Sequence, residues 1–582
     1  MNNPYFYPME YVWKQKPKTA QAAIDKLSKD INVNATLANM LFNRGVENFD
    51  QAKDYFRPSL NLLHDPFLMK DMEAAVLRIT QAVKNQEHIL VYGDYDVDGT
   101  TAVALVYEFL KGFYPHVDFY IPDRYKEGYG ISERGVRFAA ENGFSLVIAL
   151  DCGIKAMDKV ELATQLGVDF IICDHHTPGD ELPKAIAVLD PKRQDCHYPY
   201  KELSGCGVGF KLIQAYAKAH QLEESSLYAY LDLVVVSIAA DIVPISGENR
   251  ILAYYGLDRI NNTPRPGLKA LMLLSKVEKD IQISEIVFKI GPRINASGRL
   301  EHAKASVELL IAPNLDEAID RAKLVDEVNA TRRNFDEHIT KEAFEMLALQ
   351  EGEVRLNSTV LFKQDWHKGV IGIVASRCIE KYYRPTIILT ETNNKATGSA
   401  RSVVDFDIYE AIAECADLLD QFGGHKYAAG LTLDVKNVPA FQKKFEEVVS
   451  SRIEAVHLKP VIEVDDVLLL DQINYKFYNI LKQMAPFGPG NTEPVFRIQN
   501  VYAEEVTVLK DKHLRFKIMQ DGQVTTPVCL GFGMADRTKD PDLTTVNMLR
   551  GKMRFDIVAE MRENFFRDKS SLQLYVKDIK FD

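Results

Sequence analysis

Between residues 85 and 191 short apolar runs alternate with stretches of helical periodicity. Residues 88–93 (HILVYG), 117–122, 146–150, 170–173 and 185–189 each have the length of a buried strand, with helix-like segments between them, including 101–112 and 132–142. This alternation predicts βαβ units and a parallel sheet covered on both faces. Residues 203–300 read as mainly helical. The longest helix is predicted over 314–350. Asn314 is placed to cap it with Glu317 three residues on, and Ile319, Ala322, Val325, Val328, Phe335, Ile339, Ala343 and Leu347 recur at three- to four-residue spacing. At 1.5 Å per residue such a helix extends about 50 Å, which suits a connector between two lobes. A second α/β unit follows, with strands at 358–362 and 385–389 and helices to 454. From residue 460 short strands alternate with turns, as in a small β-barrel. The expected partition is an N-terminal segment (1–70), an α/β domain (71–313), the connecting helix (314–350), a second α/β domain (351–458) and a barrel (459–582).

Composition narrows the class. A chain of 582 residues is too long for one core, and 46% hydrophobic with 26% charged residues excludes disordered and fibrous proteins. No apolar run approaches the roughly 18 residues of a membrane span, and the N-terminus lacks the apolar centre of an export signal. The seven cysteines are odd in number and include no CxxC pair, so neither a disulfide framework nor a zinc knuckle is expected, and a reducing cytoplasm fits. Residues 459–582 carry 18 basic and 18 acidic side chains, so the whole net charge of −12 lies in residues 1–458. An acidic body of that kind suits divalent metal as well as solubility.

The chemistry concentrates where the apolar runs end. The first is followed by Asp94, Asp96 and Asp98 in GDYDVDGTT, at the carboxyl edge of the sheet, where such folds place ligands. The spacing resembles the opening of an EF-hand loop, but Leu105 stands where that loop needs its twelfth-position glutamate, and a strand precedes it. The run 146–150 delivers Asp151, the run 170–173 delivers Asp174-His175-His176, and the run 233–240 delivers Asp241. A single aspartate at such a place is usually a cap or turn residue. Four coincidences, one with paired histidines, predict a metal centre. Carboxylates and imidazoles without thiolates suit Mn²⁺ or Mg²⁺, and a carboxylate-rich pair of ions is the usual arrangement for cleaving phosphoesters. In the barrel, Lys510, Lys512, Arg515 and Lys517 surround His513 and Phe516, and Arg550, Lys552 and Arg554 adjoin Phe555. Cations interleaved with aromatic rings predict a surface for single-stranded nucleic acid.

Asp-His-His after a strand, with GDYDVDG upstream, resembles the DHH phosphoesterase superfamily. The likeness continues through LSGCGVGFKL (203–212), ADIVP (240–244), GPRINASGRL (291–300), HKGVIGIVASR (367–377), GSARS (398–402), FGGHKYAAG (422–430) and APFGPGN (485–491). This ordered set is similar to the single-strand-specific 5′→3′ DNA exonuclease branch of that superfamily. The resemblance implies a DHH catalytic lobe, a connecting helix, a DHHA1 lobe and a C-terminal OB-type barrel. It implies that Asp94, Asp96, Asp98, Asp151, His175 and Asp241 hold or support two Mn²⁺ or Mg²⁺ ions, with His176 beside the scissile phosphate and Asp151 and His175 also in the catalytic set. Small-molecule members of the superfamily carry a histidine four residues before a D-x-D pair. Tyr92 stands there relative to Asp96 and Asp98, which points to the exonuclease branch with Asp94 supplying the missing ligand. Arg124, Ser399 and Arg401 match positions that grip a terminal 5′-phosphate, and Arg293, Arg299, His367 and His425 are further candidates for DNA contact. The implied substrate is single-stranded DNA with a 5′ end, in recombination and repair. The implied partners are single-strand-binding protein and a recombination helicase, with no membrane and a monomeric chain. Two alternatives remain open: a phosphodiesterase for short RNA or cyclic dinucleotides, and a non-catalytic DNA-binding scaffold.

Overall fold

The computed structural model describes residues 10–277, 280–300, 303–350, 356–521, 527–536, 540, 542–566 and 569–581. Residues 1–9 of the expected N-terminal segment lie outside them. The chain forms two compact units that are not contiguous in sequence. One holds residues 53–332 and 484–492, and the other holds residues 1–52, 333–483 and 493–582. Among the described residues no helix is long and apolar enough to cross a membrane.

The first unit is built on the predicted parallel sheet. Its strands run in the order Val117–Tyr120, His88–Gly93, Phe144–Leu150, Asp169–Cys173, Ala187–Leu189, and every neighbouring pair is parallel. Side chains on both faces are buried, which is why these strands read as continuous apolar runs and not as alternating ones. The helices Val97–Lys111 and Gly205–Ala219 each bury nearly every residue and join one core with the sheet. The run ending at Asp241 is the helix Leu231–Ala240, apolar apart from Asp232 and Ser237 because it is buried on nearly all sides.

The predicted long helix is Leu315–Gln350, with Asn314 as its cap. The Asn314 Oδ1 accepts the Glu317 N–H at 3.0 Å, and the Asn314 amide donates to Glu317 Oε1 at 2.9 Å. Its first part belongs to the first unit and its second part to the other.

The second unit carries two sheets. In one, five strands follow the order Gln421–His425, Ala428–Asp434, Lys395–Arg401, Thr386–Thr392, Thr359–Phe362. In the other, Val495–Leu509, His513–Met519, Val528–Gly531, Lys569–Phe581 and Phe555–Phe566 pair in turn. Pairing of Phe555–Phe566 back onto Val495–Leu509 closes them into a five-stranded barrel. The strand Val12–Gln15 pairs in parallel with Val461–Val464, so the described part of the N-terminal segment up to residue 52 folds with this unit, whereas residues 53–70 belong to the first.

The barrel corrects one expectation. Leu514, Phe516 and Ile518 point inward, and Phe516 and Phe555 are both fully buried, their rings in edge contact with centroids 6.2 Å apart. Side chains alternate faces along a strand, so Arg515 and Lys517 face outward while Phe516 fills the core. Neither Phe516 nor Phe555 is available to stack on a base.

Candidate metal centre and active site

Three strand ends and three helix ends of the first unit meet at the carboxyl edge of its sheet. The turn after His88–Gly93 contains Asp94. Asp96 caps the helix Val97–Lys111, its Oδ1 accepting the Gly99 N–H at 3.0 Å. Asp98 lies in the first turn of that helix and points at the start of another. Its Oδ2 accepts the Gly205 N–H, and its Oδ1 accepts the Cys206 N–H and the Ser237 hydroxyl, all at 2.7 Å. The open N–H groups at the start of Gly205–Ala219 thus hold the carboxylate where a helix terminus favours negative charge. Gly205 is needed there, because a Cβ would come within 2.6 Å of the Asp151 Cβ. Asp151 leaves its strand in the left-handed region at φ 58°, which aspartate adopts more readily than most residues.

His175 sits at the centre. Its Nε2 lies 3.2 Å from Asp151 Oδ1, 3.5 Å from Asp241 Oδ2 and 3.7 Å from Asp98 Oδ2. Asp151, His175 and His176 form one group of closely spaced donor atoms, and Asp98, His175 and Asp241 form a second. Asp94 and Asp98 are 0% and 1% exposed. Asp94 Oδ2, Asp151 Oδ1 and both ring nitrogens of His175 are buried without a hydrogen-bond partner. Among the described residues no lysine or arginine forms a salt bridge with any of the five aspartates.

Burial, followed by neighbouring like charge, raises the carboxyl groups of Asp94, Asp96 and Asp151, and lifts Asp241 to about 8. Burial also lowers His175 against the pull of Asp98, which favours the neutral imidazole that a cation requires. Orphaned oxygen and imidazole atoms with suppressed charge are what a hard divalent cation satisfies, and the donor set fits Mn²⁺ or Mg²⁺.

His176 is held differently. Its Nδ1 lies 2.7 Å from Asp174 Oδ1, and its Nε2 lies 3.2 Å from the Tyr129 hydroxyl. Burial works to lower its pKa, but the Asp174 hydrogen bond and charge outweigh that and raise it to about 9. Burial likewise works to raise Asp174, and the His176 contact brings it to about 2. Asp174 also accepts the N–H groups of Ile154, His175 and His176, which fixes its orientation. Ser237 and Tyr129 are site residues that the sequence does not single out, since they sit in segments with no pattern that distinguishes them. Asp174 is visible in the sequence as the first residue of the Asp-His-His motif, but its part in orienting His176 is not.

The remaining candidates are distributed over the two units. In the first, the Arg124 guanidinium lies 5.0 Å from the Tyr95 ring centroid, and the Arg299 carbonyl accepts the Tyr125 hydroxyl. Arg293 is engaged by Asp326 at 2.8 Å and by the Lys289 carbonyl at 2.6 Å. In the second unit, Arg401 Nη1 donates to Ser399 Oγ at 3.1 Å on the strand Lys395–Arg401. The helix Ile371–Tyr382 begins beside them: a Cβ on Gly372 would lie 2.9 Å from Ser399 Oγ and 3.0 Å from Arg401 Nη2. Hydroxyl, guanidinium and helix N-terminus converge there on a corner suited to phosphate. His367 stacks on Phe335 with centroids 5.1 Å apart and accepts the Gly369 N–H at Nδ1, while His425 ends an exposed strand. On the barrel, Lys512 pairs with Asp536 and Lys517 with Glu505. Lys510 stands in a turn at φ 51°, and Arg515 is half-buried on its strand.

Comparison with known proteins agrees with this layout. Family models match for the DHH family N-terminal domain over residues 88–238, the DHHA1 domain over 355–451 and the RecJ OB domain over 464–578. The chain is 37% identical over 561 residues to the single-stranded-DNA-specific exonuclease RecJ of Bacillus subtilis, covering 96% of this chain and 69% of that one. It is 31% identical over 534 residues to the Escherichia coli RecJ, covering 88% and 90%. The crystal structure of RecJ in complex with Mn²⁺ from Thermus thermophilus superposes with a TM-score of 0.82 at 26% identity, covering 98% of this chain and 79% of that one. The Mg²⁺ complex gives 0.77 at 25% identity, with 98% and 78% covered. With its DHH, DHHA1 and OB domains in that order and this level of identity across nearly its whole length, the chain belongs to the RecJ family.

Proposed function

We propose that the chain is a metal-dependent 5′→3′ exonuclease that hydrolyses single-stranded DNA to 5′-mononucleotides in recombination and repair. The observation that carries this is the group of buried carboxylate and imidazole atoms without partners at the sheet edge, in a chain related throughout to single-stranded-DNA-specific exonucleases. In this reading Asp94, Asp96, Asp98, Asp151, His175 and Asp241 hold two Mn²⁺ or Mg²⁺ ions. The chemistry such ions supply is activation of water at neutral pH and neutralisation of charge developing on the phosphate.

The chain's own groups do the rest. Asp98, fixed by the Gly205–Ala219 terminus, keeps its ligand atoms in place without reorganisation. His176, oriented by the contact of its Nδ1 with Asp174, presents its Nε2 to a phosphoryl oxygen. Ser399 and Arg401 of the second unit take the terminal 5′-phosphate, and Arg124 of the first unit is a further guanidinium for DNA phosphate. Lys510, Lys512 and Arg515 follow the backbone on the barrel, while Arg293, Arg299, His367 and His425 line the DNA path.

The domain limits given by the sequence are proposed with this reading. So are a cytoplasmic location, which the seven buried free thiols support, a monomeric state, and partnership with single-strand-binding protein and a helicase. The test is a substrate panel in Mn²⁺: 5′-phosphorylated single strands, the same strands in duplex, and dinucleotides. Preferential release of mononucleotides from the single strand is expected. Preference for dinucleotides would instead favour the small phosphodiesterase reading, and binding without cleavage would favour a scaffold.

A further inference from the structure

The helix Leu231–Ala240 ends with Asp241 as its C-cap, and the next residue, Ile242, lies in the left-handed region at φ 59°. Glycine, and less often asparagine, closes a helix at that position without strain, because a Cβ there crowds the carbonyl oxygen and branching at Cβ worsens the crowding. Ile242 is also 64% exposed, so burial in the protein core does not offset the strain. The backbone around it is tied down. Asp241 N–H donates to the Ser237 carbonyl at 2.9 Å, and Ile245 N–H donates to the Pro489 carbonyl at 2.6 Å. The Pro244 carbonyl accepts from Tyr200 at 3.2 Å and Asn249 at 3.1 Å. An apolar, branched side chain is thus presented rigidly to solvent in the residue next to Asp241, whose carboxylate lies 3.5 Å from His175. At the His176 end of the same cluster stands Tyr129, 57% exposed, its ring centroid 6.0 Å from the imidazole.

We infer that Ile242 is a substrate contact: its side chain packs on the face of the nucleobase beside the scissile phosphate and aligns the strand by shape without reading sequence. The inference rests on the exonuclease reading above. A strained, exposed isoleucine next to a carboxylate of the cluster has a use if it gains its packing partner only when DNA is bound, since every base offers an apolar face. Isoleucine supplies such a surface, whereas glycine and asparagine, which fit the backbone better, do not.

The experiment measures kcat/KM in Mn²⁺ for wild type, Ile242→Gly and Ile242→Val on 5′-phosphorylated single strands. The strands carry either normal bases or an abasic residue at the first or second nucleotide. The expected result is about a tenfold loss for Ile242→Gly on the normal strand, in line with losing one apolar contact. Wild type should lose a similar factor on one abasic strand, and the two changes together should cost little more than either alone. Ile242→Val should retain most activity, and Ile242→Gly should melt no lower than wild type because glycine relieves the strain. Should it melt lower, Ile242→Asn, which also tolerates this conformation, takes its place. Full activity of the glycine variant on the normal strand, or an equal loss on normal and abasic strands, would overturn the inference while leaving the exonuclease reading intact. A wild-type protein that cut no single strand would overturn that reading and this inference with it.

Discussion

The sheet edge and the barrel treat charge in opposite ways. At the edge, five aspartates and two histidines crowd together with buried atoms that have no partner, and no lysine or arginine among the described residues forms an ion pair with those aspartates. On the barrel, Lys512 pairs with Asp536, Lys517 with Glu505, Lys552 with Glu504 and Arg554 with Asp521, and the aromatic rings Phe516 and Phe555 are spent on the core. Burying an uncompensated charge is among the most costly things a fold can do, whereas an exposed ion pair contributes at most about 1 kcal/mol. The first arrangement therefore requires a ligand to explain it, and the second is explained by ordinary folding. An excess of one charge in a buried place is a stronger functional signal than an alternation of charges and rings on a surface.

The sharpest way to break this contrast is to remove an edge carboxylate. Asp151→Ala or Asp241→Ala is expected to lower DNA hydrolysis by many orders of magnitude while circular dichroism stays that of a folded protein. Near-normal turnover in either variant would remove that residue from the site. The matching change in the barrel has a different signature. Phe516→Ala should cost about 3–5 kcal/mol of stability in urea denaturation, with DNA affinity per folded molecule unchanged. A selective loss of DNA binding at full stability would return this ring to the surface.

Much of this is legible in the chain. The parallel strands, the Asn314 cap and the acidic exits of the apolar runs can be read because each breaks or obeys a simple rule: both faces buried, a side chain matched to a helix end, a charge where burial forbids one. The run before Asp241 is legible as helix only from its place in the mainly helical stretch 203–300, since a segment buried on all sides has no period of its own to separate strand from helix. Phe516 is misread when its adjacency to Arg515 and Lys517 is weighed above strand alternation, which sends neighbours to opposite faces. The anchoring of Asp98 by Gly205, Cys206 and Ser237 joins segments more than a hundred residues apart, and no local pattern announces it. The left-handed turn at Asp151 and the strain at Ile242 are likewise visible only in the backbone.

Smaller effects sharpen the picture of the second unit. Arg401→Ala should reduce use of 5′-phosphorylated strands about ten- to hundredfold, and 5′-hydroxyl strands far less, because one charged hydrogen bond is worth roughly 1.5–3 kcal/mol. An equal loss on both would show that this arginine does not take the terminal phosphate. Smallest of all, Arg515→Ala should weaken single-strand binding only a few-fold, evenly across sequences, and lower the salt dependence by about one ion. An unchanged salt slope would exclude Arg515 from the DNA path.

The central claim is that the edge cluster is built for divalent cations, and thermal denaturation with and without Mn²⁺ at pH 6 and pH 8 tests it most directly. Without metal, the folded carboxyl groups hold protons that the unfolded chain has already released, between about 4 for a free aspartate and about 8 for Asp241. The metal-free fold must therefore lose stability as pH rises through that window, and His176, raised to about 9, adds to the fall above its free value of about 6.5. Mn²⁺ replaces those protons, so its stabilisation should be larger at pH 8 than at pH 6, reaching about 2.7 kcal/mol at a hundred times its dissociation constant. Asp151→Asn should be more stable than wild type without metal and gain little from Mn²⁺. A wild-type melting temperature indifferent to Mn²⁺ at both pH values would contradict the account.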